Sequence, residues 1–68
     1  MTTFAEASQT RLILKMKFSN YSWYNGCSVV TDDDGFAVLI GVTRLDNSVR
    51  KIIPNVHEGV VIKTKIEP

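Results

Sequence analysis

The strongest constraint on how this chain can fold is a pair of apolar runs split by an acidic turn. They lie within Tyr24 to Val42, Tyr-Asn-Gly-Cys-Ser-Val-Val-Thr-Asp-Asp-Asp-Gly-Phe-Ala-Val-Leu-Ile-Gly-Val. Cys27 to Thr31 is short and β-branched. Phe36 to Thr43 places Phe36, Val38, Ile40 and Val42 on one face and Ala37 and Leu39 on the other. Asp32 to Gly35 has the composition of a hairpin connection, and Gly35 can take the positive φ that a four-residue turn often needs. The spacing predicts an antiparallel hairpin. A strand apolar on both faces is usually covered on both, so Phe36 to Thr43 is expected at the centre of the sheet.

The remaining residues must complete a core around that hairpin. A chain of 68 residues makes one domain, and domains of about 60 residues bury only about 60% of their unfolded surface. Small domains therefore lean on disulfides, metals or partner subunits. The single cysteine, Cys27, excludes an internal disulfide. One Cys and one His fall short of the four ligands of a structural zinc site. No metal or cofactor is expected, which leaves the packed core or oligomerisation. The N-terminus lacks the basic and apolar regions of a signal peptide. No apolar stretch approaches the roughly 20 residues of a membrane span. A lone cysteine fits a reducing compartment, so the expected location is the cytoplasm, with no membrane partner.

Before the hairpin, Thr3 and Glu6 form a capping-box pattern. It predicts a helix from about Phe4 to about Lys17. Ala5, Leu12, Ile13 and Met16 share one helical face; Phe4, Ala7, Leu14 and Phe18 share another. A helix apolar on two sides either lies between layers or presents one side to a partner. A competing pattern, the alternation of Leu12, Leu14, Met16 and Phe18 with Lys15 and Lys17, would make Leu12 to Phe18 a strand. Ser19 to Gly26 is a polar and aromatic connection, with Asn25-Gly26 as a turn.

After the hairpin, Leu45 to Pro54 reads as a short helix capped by Asp46 or Ser48. Leu45, Val49, Ile52 and Ile53 face inward, Arg50 and Lys51 face outward, and Pro54 ends it. Gly59 marks the entry to a last strand. There Val60, Ile62 and Ile66 alternate with Lys63, Lys65 and Glu67 as in a half-buried strand. The element order α-β-β-α-β predicts a single α+β domain over residues 1–68 with a three-stranded sheet. If the last strand runs parallel to a hairpin strand, the crossover should be right-handed. The alternative is a small all-β barrel that uses Leu12 to Phe18 as its first strand.

The run from Gly26 through Asp-Asp-Gly-Phe-Ala-Val-Leu-Ile-Gly-Val to Ile-Ile-Pro-Asn-Val-His-Glu-Gly-Val-Val-Ile-Lys-Thr-Lys-Ile resembles small uncharacterised bacterial α+β domains. Those end in a proline, a few residues, Gly-Val and a closing strand. The matching positions here are Pro54, Gly59 and Val60, and the likeness covers roughly the last two thirds of the chain. Where those domains usually carry a small residue or proline next, this chain has Val61. The resemblance implies a fold and brings no active site with it.

Candidate chemistry is sparse. Asp32-Asp33-Asp34-Gly35 has the front of a calcium loop. With Gly35 at loop position six, however, Val30 falls at position one and Gly41 at twelve, where carboxylates are required. A solvated acidic turn is the reading that remains. Cys27 and His57 would need mutual hydrogen-bond reach and an orienting group to act as nucleophile and base, and nothing in their spacing supplies these. Cys27 opens an apolar strand, as buried free cysteines do.

Tyr21, Trp23 and Tyr24 are the most suggestive group, since Tyr and Trp are enriched both at interface hot spots and at stacking platforms for single-stranded nucleic acid. Equally, Trp23 can simply plug the core. Lys63 and Lys65, with Arg50 and Lys51, form a basic rim or ordinary solvated faces. Charge is nearly balanced, eight Lys+Arg against seven Asp+Glu, which argues against a dedicated duplex binder.

The expectation is a small non-enzymatic protein-protein interaction module, an adaptor, regulator or inhibitor of the kind carried as a bacterial or phage accessory protein. Tyr21, Trp23, Tyr24, Lys63 and Lys65 would be its contact residues. A Val60 to Glu67 edge strand could add a partner strand or pair with a second copy. The alternative from another class is binding of RNA or single-stranded DNA through the same aromatics.

Overall fold

The computed structural model describes residues 2–33 and 35–67. It is an α+β domain in which one long helix lies on a mixed four-stranded sheet. Helix α1 spans Phe4–Phe18, strand β1 Tyr24–Asp32 and strand β2 Gly35–Val42. Helix α2 (Asn47–Ile52), strand β3 (Val56–His57) and strand β4 (Val60–Ile66) follow.

Helix α1 starts where the capping box predicts. The Glu6 backbone N–H donates to Thr3 Oγ1 at 3.2 Å, and the Thr3 N–H donates to Glu6 Oε1 at 3.0 Å. These reciprocal bonds satisfy two donors that a helix start leaves open. Ala7, Thr10, Leu14 and Phe18, spaced by three and four, are buried against the sheet. That spacing keeps them on one stripe, and it settles Leu12 to Phe18 as helix rather than the first strand of a barrel.

The hairpin pairs Val29 with Val38 and Cys27 with Ile40, ending on Asp32 opposite Gly35. Gly35 adopts φ 122, and Asp34 lies outside the described residues. Asn25-Gly26 is not a turn. The register slips between Tyr24, opposite Val42, and Gly26, opposite Gly41, so Asn25 is the extra residue of a β-bulge. Gly26 meets the bulge's demand for an unusual backbone with φ 121.

Strand β2 then pairs parallel with β4, Val38 opposite Ile62 and Val42 opposite Ile66. Helix α2 lies in the connection. Asp46 is its cap, accepting from the Val49 N–H at 3.0 Å and from the Ser48 hydroxyl at 2.6 Å.

The sheet order is β1-β2-β4-β3, so there are four strands rather than three. The extra strand, Val56–His57, is too short for periodicity to reveal. It joins β4 through Glu58 and Gly59, both at positive φ (48 and 83), the conformation of a two-residue hairpin turn.

The core lies on the helix side of the sheet. Phe18, Leu14, Ile40, Val38, Val42 and Val49 are its largest fully buried side chains. The expectation that β2 is covered on both faces is corrected. Among the described residues, no element packs on the second face, where Val30, Ala37, Val61 and Val56 line up in register across all four strands. Ala37 is nevertheless fully buried. Its small side chain sits between its cross-strand neighbours, and the Lys63–Asp32 ion pair (3.3 Å) joins the two rows on either side of it.

Candidate interaction surface at the free edge of the sheet

The structure separates the predicted contact residues into two groups. Trp23 is 4% exposed and belongs to the core. Its ring packs at 5.7 Å from Phe18 and stacks at 4.9 Å on Tyr21, which is 42% exposed. A large ring in so small a domain is worth more as core than as surface, so Trp23 supports Tyr21 rather than meeting solvent.

Tyr24 is half-buried on the helix side, opposite Val42. Its hydroxyl donates to Cys27 Sγ at 3.2 Å, and the Cys27 thiol donates to the Arg11 carbonyl at 3.4 Å. Burial, together with this bond to Cys27, pushes the Tyr24 phenol up to about 12. Lys63 and Lys65 project from the other face of the sheet, because residues opposite Leu39 and Gly41 alternate away from the core. The aromatics and the lysines therefore do not form one patch.

Cys27 and His57 are also kept apart. They sit on β1 and β3, the two outermost strands, separated by three strand spacings of about 4.8 Å each. Among the described residues, no cluster of three or more metal-ligating side chains forms.

What the fold does assemble lies along β4. The Ile62 N–H points away from β2 and donates to the Asn55 carbonyl at 2.8 Å. The Glu67 N–H points the other way, to the Val42 carbonyl at 2.7 Å. Strand alternation then directs the backbone N–H and C=O of Thr64 and Ile66 outward, away from β2. Strand β3 covers only Val60 and Val61. Beyond it, among the described residues, no strand pairs with the outer edge of β4.

Beside that edge, on the helix side, is a groove of about 310 Å³ lined by Leu45, Arg50, Ile53, Pro54, Asn55, Ile62 and Thr64. Its walls follow from local sequence. The Asp46 cap starts α2, Val49 anchors it in the core, and Pro54 ends it, which leaves Leu45 and Ile53 flanking the gap. Arg50 stands at the rim.

The charges around this edge are mainly basic, with one carboxylate, Glu67, lying against Gly41 opposite Lys65. Lys63 and Lys65 flank it on one face of the sheet, and Arg50 flanks it on the other. Lys63 contacts Asp32, whose carboxyl is held below its ordinary 3.8 first by the Asp33 backbone N–H and then by Lys63. Arg44 contacts Asp46 at 3.2 Å. Among the described residues, no ion pair engages Arg50 or Lys65.

Comparison with protein families, with curated proteins and with solved structures returned no significant match.

Sequence reasoning found β4 and its lysines but missed the groove and Arg50's place in it. The signal it passed over was Glu58-Gly59. A two-residue turn there fixes β3 on one half of β4 and leaves the other half bare.

A second unpartnered surface lies on α1. Leu12 and Met16, one turn apart on the side away from the sheet, are 52% and 73% exposed.

Proposed function

We propose that this chain is a small non-enzymatic protein-protein interaction module, working in the cytoplasm as an adaptor, regulator or inhibitor. Its contact site is the outer edge of β4. The observation that supports the reading is the unpaired backbone of Thr64 and Ile66 beside a groove lined by both apolar and polar side chains. An incoming strand gains main-chain hydrogen bonds from such an edge and side-chain selectivity from the adjoining pocket. A groove of about 310 Å³ takes one or two side chains of a peptide, near the lower bound for small-ligand sites.

Natural proteins often defend a bare edge with lysines or cover it. Here Lys63 and Lys65 do the first, and β3 does the second for only part of the strand. The lysines keep the edge from indiscriminate pairing and leave it open to an acidic partner. The reading of RNA or single-stranded DNA as partner draws less support. A stacking platform needs several exposed rings, and of Tyr21, Trp23 and Tyr24 only Tyr21 is exposed.

The test is capture from host extract with and without nuclease, using the native chain and Thr64→Pro. The substitution removes an outward N–H that no described residue uses, and proline is tolerated at such edge positions. One protein retained in near-equal amount through nuclease, and lost with Thr64→Pro of unchanged melting temperature, is the expected result. Recovery abolished by nuclease would overturn the reading in favour of nucleic acid.

A further inference from the structure

We infer that the segment recognised at the β4 edge is an extended peptide in which acidic and apolar residues alternate. This rests on the proposed interaction role and names the chemistry of the partner. Residues directly opposite one another in a sheet share a face. A strand laid along Thr64 and Ile66 places the residues opposite them on the helix side, over Leu45, Ile53, Pro54 and Ile62. Those positions call for apolar side chains, because Leu45, Ile53, Pro54 and Ile62 are four of the seven residues that line the groove. The residues opposite Lys63 and Lys65 fall on the other face, beside the Lys65 ammonium and, when it exchanges Asp32 for the new carboxylate, that of Lys63. Those positions call for Asp or Glu, since opposite charges on facing positions attract. The period-two alternation of β4 is thereby imposed on its partner in complementary form.

A basic partner strand meets repulsion from Lys63 and Lys65, with Arg50 adding to it at the groove. An acidic strand is complementary to all three bases. Salt weakens such exposed pairs without removing the backbone bonds or the groove contacts.

The test uses the intact chain and three short end-blocked peptides of one length: alternating Glu and Val, alternating Lys and Val, and the Glu and Val residues sorted into two blocks. Binding is measured by calorimetry and mapped by amide chemical shifts. The alternating Glu-Val peptide is expected to bind at least about tenfold more tightly than the other two, with shifts centred on Thr64 and Ile66. Lys65→Glu should reverse the preference between the Glu and Lys peptides, with the melting temperature showing that the variant is folded.

Equal affinity for the three peptides, or shifts centred on β1, would overturn the inference. A host protein captured in a Thr64→Pro-sensitive manner while the Glu-Val peptide fails would refute this partner chemistry and leave the interaction role standing. Loss of both would refute the role itself.

Discussion

The sheet has two outer edges, and they are built differently. The β1 edge is long, nine residues from Tyr24 to Asp32, and belongs to an antiparallel hairpin. It is interrupted by the Asn25-Gly26 bulge and closes on the acidic pair Asp32 and Asp33. A bulge twists an edge away from regular pairing, and charge at its end repels another strand. The β4 edge is short and bare from Thr64 onward, with a groove on one side and lysines on the other. One edge carries devices against pairing. The other carries charge that selects among partners. An exposed edge in a small domain thus acquires meaning from what lies beside it, since both edges offer the same backbone groups.

Both edges hang on one core, which sets the first control. Phe18→Ala empties the space under Trp23, and such truncations cost about 3–5 kcal/mol. A chain of this length has about 3–10 kcal/mol in all. Chemical denaturation should show the variant largely or wholly unfolded, with both edges lost together.

A smaller effect separates the edges. Gly26→Ala forces a Cβ onto φ 121, where the space is open but the backbone is strained, at a cost of about 1–3 kcal/mol. Stability measured by urea should fall by that amount. Affinity at β4 should stay the same while the variant remains folded.

Asp46→Ala removes the cap of the helix whose end walls the groove, costing about 1 kcal/mol. Peptide affinity should drop along with stability, because Leu45 and Ile53 lose their fixed separation.

The smallest effects are electrostatic. Asp32→Asn breaks an exposed pair worth under about 1 kcal/mol. It should leave stability nearly unchanged while freeing Lys63 for an acidic partner and so tightening peptide binding.

Glu6, Asp32 and Asp46 all have carboxyls held below their ordinary values, by Thr3, by Asp33 with Lys63, and by Ser48 with Val49 respectively. A depressed carboxyl stabilises the fold above its unfolded value, and that contribution is lost as pH falls through the lower folded value. A pH series of melting curves should therefore be flat near neutrality and fall below about pH 4.5 for Glu6 and 3.8 for the aspartates. Tyr24 behaves in the opposite sense. Its stabilisation is complete below pH 10 and is lost as pH rises toward about 12.

Much of this architecture was legible in the sequence. The capping box fixed the start of α1, the Asp46 cap and Pro54 bracketed α2, and alternation identified β4. These signals are local, so they survive without knowledge of the fold. The misreadings have a shared cause. Asn25-Gly26 has the composition of a turn, but whether such a pair turns the chain or bulges a strand depends on what lies opposite, here Gly41.

Ala37 and Leu39 made β2 look covered on both faces. A second face can also hide an alanine between valines on adjacent strands. Trp23 had the composition of a contact residue, and its neighbour Phe18 drew it into the core. The groove joins Leu45, Arg50 and Thr64 from three parts of the chain, and no window of sequence holds all three.

The most direct test of the account is amide hydrogen exchange, residue by residue, in the free chain and with the alternating Glu-Val peptide. The Thr64 and Ile66 amides should exchange fast in the free protein and gain strong protection on binding, with no change at Cys27, Val29 and Thr31 on β1. Thr64 and Ile66 amides already protected in the free monomer, or protection gained on β1 while β4 stays unchanged, would contradict it.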